Sequence, residues 1–385
     1  MTDNKPGDIG LSPRLGSRKS YQKVNMDLIF LGTASAHPSP SRGVSGTVLR
    51  SEREAWLIDC GEGTQIQLMR SNVRPGRITK IFITHLHGDH SFGLPGLMCT
   101  LSAAFMDPDR EGSIMHIYGP QGLRKYVRVS LELSRSELSY SYVVHELQVP
   151  DTEFPHDWET WKPSHEAEGS LHPNEKTGQA IFMTADGTYK LHEDDNFIIH
   201  AATISHRVPC FGYVFLEKPQ PGRLDAEMLK ARGIKPGPLY ARIKAGHEIE
   251  APDGSVIKPQ DVVGPTRQGR KIVILGDTKE SSRIIPIAMN ADVLVHEATL
   301  ADEHHDLCIG RGHSTPAMAG QFAAQIQCEH LVITHFSQRY YPLSHQGKEG
   351  DETVQKLLDQ TRATFPGGKV TAAEDFLTIS VPARR

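Results

Sequence analysis

Two tetrads far apart in the chain, Phe82-Ile83-Thr84-His85 and Val332-Ile333-Thr334-His335, are near copies of each other. Each is an apolar β-type run closed by Thr-His, and such a run reads as a buried strand. The quasi-repeat predicts two similar β-rich halves packed face to face, with metal ligands along their shared edge. Other apolar runs obey the same rule. Ile198 to Ile204 ends in Ser205-His206, Lys271 to Leu275 in Gly276-Asp277-Thr278, and Val293-Leu294-Val295 in His296-Glu297-Ala298-Thr299.

The first tetrad opens the run Thr84-His85-Leu86-His87-Gly88-Asp89-His90, which sets four metal-capable side chains within six residues. Imidazole nitrogen and carboxylate oxygen suit Zn²⁺ and similar divalent ions. A ligand set without cysteine points to an open, catalytic site in place of a closed structural one. Spacing then allots the ligands. His85 and His87 share one ion, and Asp89 and His90 the second. His206 completes the first site and His335 the second. Asp277 is placed as a bridge, because a carboxylate can span ions ~3.5–4 Å apart. His304, His305 and His330 read as helix-associated surface or core residues. His145, His156, His165, His172 and His192 read as ordinary histidines of an acidic segment.

The remaining pattern is α/β. Strands are expected at Leu28 to Leu31, Thr47 to Arg50, Ala55 to Asp59 and Ile114 to Tyr118, with helices at Thr64 to Arg70, Gly96 to Phe105 and from about Gly122. Two segments break the rhythm. Residues Glu146 to Asn196 hold twelve acids against three lysines and are expected to form a partly flexible insertion loop. Residues Glu217 to Arg270 carry ten basic against seven acidic residues, about +3 within a chain of net charge −4. This segment is rich in Gly and Pro, as in Gly233-Ile234-Lys235-Pro236-Gly237-Pro238, and reads as a basic binding arm.

Composition leaves one broad class open. The chain is 38% hydrophobic and 23% charged, as in ordinary globular proteins. No stretch approaches the ~18 consecutive apolar residues of a membrane span, so no membrane partner is expected. Residues 1–25 are polar and Gly-rich and read as a flexible tail with no apolar signal region. The five cysteines are scattered and form no C-x-x-C pair, which fits a reducing compartment. The expected location is cytoplasmic, nuclear or both.

The Thr-His-x-His-x-Asp-His run resembles the metallo-β-lactamase superfamily. The wider pattern is similar to ribonuclease Z, the tRNA 3′-processing endonuclease, in its short eukaryotic-type form. The resemblance rests on Phe30-Leu31-Gly32-Thr33, Pro38-Ser39-Pro40-Ser41-Arg42-Gly43, Asp59-Cys60-Gly61-Glu62-Gly63-Thr64 and Ser91-Phe92-Gly93-Leu94-Pro95-Gly96. It continues through Gly276-Asp277-Thr278, His296-Glu297-Ala298-Thr299, Gly312-His313-Ser314-Thr315-Pro316 and His335-Phe336-Ser337-Gln338-Arg339-Tyr340. It implies an αββα four-layer sandwich with a protruding exosite arm, in one domain over 26–385 with insertions at 146–196 and 217–270.

The resemblance also implies an activity. The chain would be a zinc-dependent endoribonuclease that removes the 3′ trailer of precursor tRNA by two-metal hydroxide attack. The products would be tRNA with a 3′-OH and a trailer with a 5′-phosphate. Two Zn²⁺ per subunit are expected, with Mn²⁺ or another divalent ion able to replace them. Carry-over by position makes Asp89 a catalytic ligand and His313 a group near the scissile phosphate, with Glu297 as its hydrogen-bonding support. Arg42, Ser337 and Arg339 fall on substrate-binding positions, as do Lys235, Gly237, Pro238 and Lys244 of the arm. Relatives act as homodimers in which one subunit's arm serves the partner's active site. The alternatives are a phosphodiesterase for small molecules, which would not need the arm, and a silent RNA-binding scaffold, which would not need all seven ligands.

Overall fold

The computed structural model describes residues 26–384 apart from 53, 105–111, 151–153, 155–169 and 346–349. The tail expected over 1–25 and the middle of the acidic segment, with His156 and His165, lie outside the described residues. The first half runs β1 (Met26–Gly32), β2 (Gly46–Arg50), β3 (Ala55–Ile58), α1 (Thr64–Arg70), β4 (Ile78–Phe82), α2 (Gly88–Ser91) and α3 (Leu94–Ala104). It continues with β5 (Ile114–Pro120), α4 (Leu123–Leu133), β6 (Ser141–Gln148), β7 (Glu175–Lys176) and β8 (Ala180–Phe182). The second half opens with β9 (Tyr189–Glu193), β10 (Phe197–Ile204) and β11 (Cys210–Glu217). An excursion follows, comprising α5 (Ala226–Ala231), α6 (Pro238–Lys244), β12 (Ile249–Glu250), β13 (Val256–Ile257) and α7 (Pro259–Val262). The chain then returns through β14 (Lys271–Leu275), α8 (Ile285–Ala288), β15 (Val293–Glu297), α9 (His305–Gly310) and α10 (Pro316–Gln325). It closes with β16 (His330–Thr334), α11 (Val354–Thr364), β17 (Lys369–Ala372) and β18 (Thr378–Val381).

Two large sheets result. One has the order β18-β1-β2-β3-β4-β5-β6-β7, with β8 also on β6; the other runs β17-β16-β15-β14-β11-β10-β9. Apolar runs such as Ile272-Val273-Ile274 and Leu331-Val332-Ile333 are buried on both faces, as parallel strands covered on both sides require. Between the sheets lies an aromatic layer: Trp56 and Phe82 of the first sheet against Phe197, Tyr213 and Phe215 of the second, with ring centroids 4.8–5.7 Å apart across the interface. Outside, α1, α3 and α4 cover the first sheet and α8, α9, α10 and α11 the second, giving the four layers αββα. In α4 the buried residues Leu123, Val127 and Leu131 recur every four positions, one stripe facing the sheet.

This layering puts the strand ends together. Strands β3, β4 and β5 are parallel, as are β14, β15 and β16, and β10 joins β14 through two antiparallel steps. The C-terminal ends of β4, β10, β14, β15 and β16 therefore open on one edge. The halves are pinned directly behind it: Phe211 N donates to Thr84 O at 3.0 Å and Tyr213 Oη to Ile83 O at 2.6 Å.

The excursion is more than a loop. Leu229, Ile234, Ile243, Ile249, Ala251, Ile257 and Val262 form a small apolar core of their own. Its neck is closed by paired Gln220–Arg267 backbone bonds of 2.9 Å and by the buried Arg270 guanidinium donating twice to Glu217, at 2.8 and 2.7 Å. The acidic segment differs from expectation. Its described second part forms β7 and β8 on β6, and β9 on β10, so it extends both sheets. In β9, Tyr189 and Leu191 turn inward between exposed Lys190 and part-exposed His192, an alternation masked in sequence by the surrounding acids.

Candidate metal centre

At the shared edge the seven proposed ligands converge into two clusters joined by one carboxylate. His85, His87, His206 and Asp277 form the first, and Asp89, His90, Asp277 and His335 the second. In the first, His87 Nδ1 lies 3.0 Å from His85 Nε2 and 3.2 Å from His206 Nε2, while Asp277 Oδ2 stands 3.7 and 4.0 Å from the same two nitrogens. In the second, Asp277 Oδ1 is 3.3 Å from both His90 Nε2 and His335 Nε2, and Asp89 Oδ2 is 3.6 and 3.3 Å from them. The two Nε2 atoms also face each other at 3.3 Å. Tetrahedral zinc with ligands about 2.0–2.1 Å away separates neighbouring donors by roughly 3.3–3.4 Å. The spacing, the convergence of four donors and the use of both Asp277 oxygens fit a pair of divalent ions.

Four of the five imidazoles, those of His85, His90, His206 and His335, are held from behind by the other nitrogen, which fixes which atom faces inward. His90 Nδ1 donates to Asp59 Oδ2 at 2.7 Å, and His206 Nδ1 to Gly312 O at 2.7 Å. His335 Nδ1 meets Thr299 Oγ1 at 3.0 Å, and His85 Nδ1 meets Thr84 Oγ1 at 3.1 Å. Ala36 N donates to Asp89 Oδ2 at 2.7 Å. Two of these positions are strained: Asp59 has φ 59° and His335 φ 60°, a left-handed conformation that non-glycine residues hold only when the surroundings impose it.

Charge agrees with geometry. Burial lowers the affinity of His85 for a proton, and burial with neighbouring His206 brings His87 down to about 4, so both are neutral donors. At His90 burial acts the same way, but Asp277, Asp59 and Asp89 outweigh it and draw positive charge into this corner.

Beside the centre, His313 Nδ1 lies 3.2 and 3.3 Å from the two Glu297 oxygens and 3.6 Å from Asp277 Oδ2. Burial disfavours its protonation, yet Glu297 and Asp277 raise it to about 9. Glu297 is itself held by Thr278 N at 2.6 Å and by the Thr299 hydroxyl. His313 faces a cleft of about 350 Å³ that is also lined by Ser35, Ala36, His37, Arg207, Arg311, Ser337 and Gln338. Ser337 lines this cleft, and exposed Arg339 follows on the same loop.

Arg42 does not reach the open side. It is 5% exposed, donates through Nη1 to Thr33 Oγ1 at 3.1 Å and lies over the Phe336 ring. The expected substrate contact is corrected to a support for the loops behind His335, because burial keeps this guanidinium from solvent. Lys235, Gly237, Pro238 and Lys244 are exposed on the arm, the last two at the ends of α6. His330, expected beside helices, opens β16, where Nε2 meets Thr371 Oγ1 at 2.9 Å. His145 is a core residue of β6, stacked on Tyr118 and 3.1 Å from His116. Asp59, Thr299, Arg207 and Arg311 were not assigned roles from sequence. The available signal was adjacency: each stands within two residues of a strand end or a site histidine.

Comparison with known proteins gives the following. Residues 26–137 match the family described as "Anti-Pycsar protein Apyc1". The chain is 44% identical over 370 residues to human "Zinc phosphodiesterase ELAC protein 1", covering 94% of this chain and 100% of that protein. It is 39% identical over 362 residues to "Ribonuclease Z" of Microcystis aeruginosa, covering 94% and 98%. Among solved structures, that of human "tRNase Z, short form (ELAC1)" superposes with a TM-score of 0.62 at 37% identity, over 93% of this chain and 100% of that one. The fold is also shared with "the metallo-beta-lactamase fold protein YhfI" of Bacillus subtilis, TM-score 0.55 at 16% identity.

Proposed function

The chain belongs to the ribonuclease Z family, and from that premise we infer that it is a metal-dependent endoribonuclease acting on precursor tRNA. It removes the 3′ trailer, leaving tRNA with a 3′-OH and a trailer with a 5′-phosphate. The observation that carries this reading is the sharing of Asp277, one oxygen for each of two donor clusters.

The ions are assigned as two Zn²⁺ per subunit, with Mn²⁺ a workable substitute for this His/Asp set. His85, His87, His206 and Asp277 would hold one, and Asp89, His90, His335 and Asp277 the other. When bound, such a pair supplies Lewis acidity, bringing the pKa of water near neutrality and offsetting charge on phosphoryl oxygen.

The chain's own residues do the rest. Asp89, fixed by Ala36 N, is placed to orient the attacking water and take its proton. Glu297 holds Nδ1 of His313, which leaves Nε2 free to face the cleft. Glu297 favours the protonated form of His313 against the effect of burial, which suits His313 to deliver a proton to the departing ribose 3′-oxygen. The arm, with exposed Lys235 and Lys244, takes the body of the tRNA through its backbone charge.

A homodimer fits the exposed apolar side chains of Ile66 and Met69 on α1 and of Phe92 just after α2, at 53, 64 and 61% exposure. Among the described residues no helix is long and apolar enough to cross a membrane, and we assign the protein to cytoplasm, nucleus or both.

The test pairs metal analysis with cleavage of a 3′-extended precursor tRNA by wild type and Asp277→Ala. Cleavage after the unpaired nucleotide of the acceptor stem, lost with the substitution, is expected. Bound metal with turnover of only a small phosphodiester would replace this reading with a small-molecule phosphodiesterase.

A further inference from the structure

The cleft beside the metal donors has a second charged feature. Its lining includes Arg207 and Arg311 and no acidic residue. Both arginines are exposed, and among the described residues neither is ion-paired with a carboxylate. The acids of the centre, Asp89, Asp277 and Glu297, are buried and already engaged by imidazoles. The charge that the cleft shows to a ligand is therefore positive.

The backbone fixes where that charge stands. Arg207 follows the ligand His206, and its stem crosses Gly312, where an added Cβ would meet Arg207 Cγ at 3.2 Å and His206 Nδ1 at 2.7 Å. Gly312 has φ 81°, so glycine is required here both by conformation and by space. Arg311 caps α9, and Arg311-Gly312-His313 therefore sets the second arginine and His313 on one wall. The opposite wall is rigid too, since Gln338 Nε2 donates to Ser35 O at 2.8 Å and to His37 O at 2.6 Å.

We propose that Arg207 and Arg311 grip the phosphodiester immediately 5′ of the scissile bond, the one carried by the nucleotide that becomes the new 3′ end. The inference rests on the endonuclease reading above. His313, the donor to the leaving 3′-oxygen, lines the same cleft, so the ribose bearing that oxygen lies in it and its own 5′-phosphate faces the arginines. At about 350 Å³ the cleft is at the small end of ligand pockets and suits one nucleotide. The guanidinium fork matches phosphate oxygens in pairs. The consequence is a requirement for a second, uncleaved phosphodiester, which sets polynucleotides apart from isolated phosphodiesters.

The test uses precursor tRNA carrying a single neutral methylphosphonate, either at the linkage 5′ of the scissile bond or at the linkage 3′ of it. Wild type should lose about ten- to a hundredfold in kcat/KM with the 5′ neutral linkage, the scale of a charge-assisted hydrogen bond. The Arg207→Gln/Arg311→Gln double variant should lose a similar factor on the natural RNA and little more on the neutral one. Lysine at both positions keeps the charge but not the paired hydrogen bonds, and should recover only part of the activity lost in the glutamine variant. A double variant that keeps the full sensitivity, or a wild type whose sensitivity lies at the 3′ linkage, overturns the proposal. A wild type that cleaves no precursor RNA removes the endonuclease reading itself, and this inference with it.

Discussion

Nδ1 of His90 lies 2.7 Å from Oδ2 of Asp59, and the same carboxylate receives Thr84 N at 2.7 Å and Thr84 Oγ1 at 2.9 Å. One side chain at the end of β3 thus fixes the ring of a proposed ligand and the backbone that launches the histidine run. Asp59 does this from φ 59°. Loss of such a support typically costs 10–100-fold in metal affinity or activity. Asp59→Ala should therefore weaken metal retention by about that factor, with the added strain of alanine in a left-handed conformation. Asp59→Asn tolerates that backbone and should fall between the two. Competition against a metal-sensitive dye measures both.

Asp277 is the one residue common to both clusters, and its removal takes a donor from each at once. Asp277→Ala should release metal from both positions and reduce precursor cleavage by at least about a thousandfold, since the site loses charge as well as geometry. Elemental analysis of the purified variant checks the first half. Full metal content with normal turnover would remove the bridging role.

His313 stands outside both clusters, 3.6 Å from Asp277 Oδ2 and with its ring 5.2 and 5.5 Å from those of His206 and His335. His313→Ala should leave metal content unchanged and lower kcat by about 10²- to 10⁴-fold, the range for a lost general acid. Near-normal turnover would take His313 out of the proton path.

Much of this site was legible because its ligands sit at the ends of apolar strands. His85, His206, Asp277 and His335 each follow a run that burial alone would make a strand, so their convergence could be argued without a structure. The supports were harder to see. Thr299 lies on the strand-end run His296-Glu297-Ala298-Thr299, yet its link between His335 and Glu297 depends on side-chain direction. Arg207 and Arg311 carry no motif, and only the left-handed turn at Gly312 lays one beside the other. In the fold, β18 pairs with β1 across nearly the whole chain, a contact no local pattern encodes. Strand β11, buried from Cys210 to Phe215, is weakly marked in sequence, since its run holds Gly212 and leads into the arm.

Glu297 sets the protonation of His313. Burial alone would push the imidazole below its ordinary value; Glu297 and Asp277 lift it to about 9. A group raised in this way keeps its proton below the raised value and loses it as pH climbs through it. Activity should therefore fall on the alkaline side at or below about pH 9, bound cations pulling the limb downward. Glu297→Gln keeps the shape and the acceptor for Thr278 N but removes the charge. The alkaline limb should move to lower pH and the neutral-pH rate should drop. A pH–rate profile with an unmoved limb would mean that another group titrates there.

The arm offers the sharpest separation of binding from chemistry. Its apolar core, from Leu229 to Val262, is distinct from the clusters around the two sheets, and its neck is tied by Gln220–Arg267 and Glu217–Arg270. Removing residues Leu224 to Pro265 with a short Gly-Ser link leaves both ties and all seven proposed ligands in place. The sandwich should still unfold cooperatively and keep its metal, since the arm's apolar cluster is separate from those of the two sheets. Turnover of a small chromogenic phosphodiester should survive within about a few-fold, because the donors and His313 are untouched. Cleavage of precursor tRNA should fall by orders of magnitude, and its dependence on salt should flatten as phosphate contacts are lost. Equal loss on both substrates would place the arm in the support of the catalytic centre, whereas undiminished tRNA cleavage would strip it of any part in recognition.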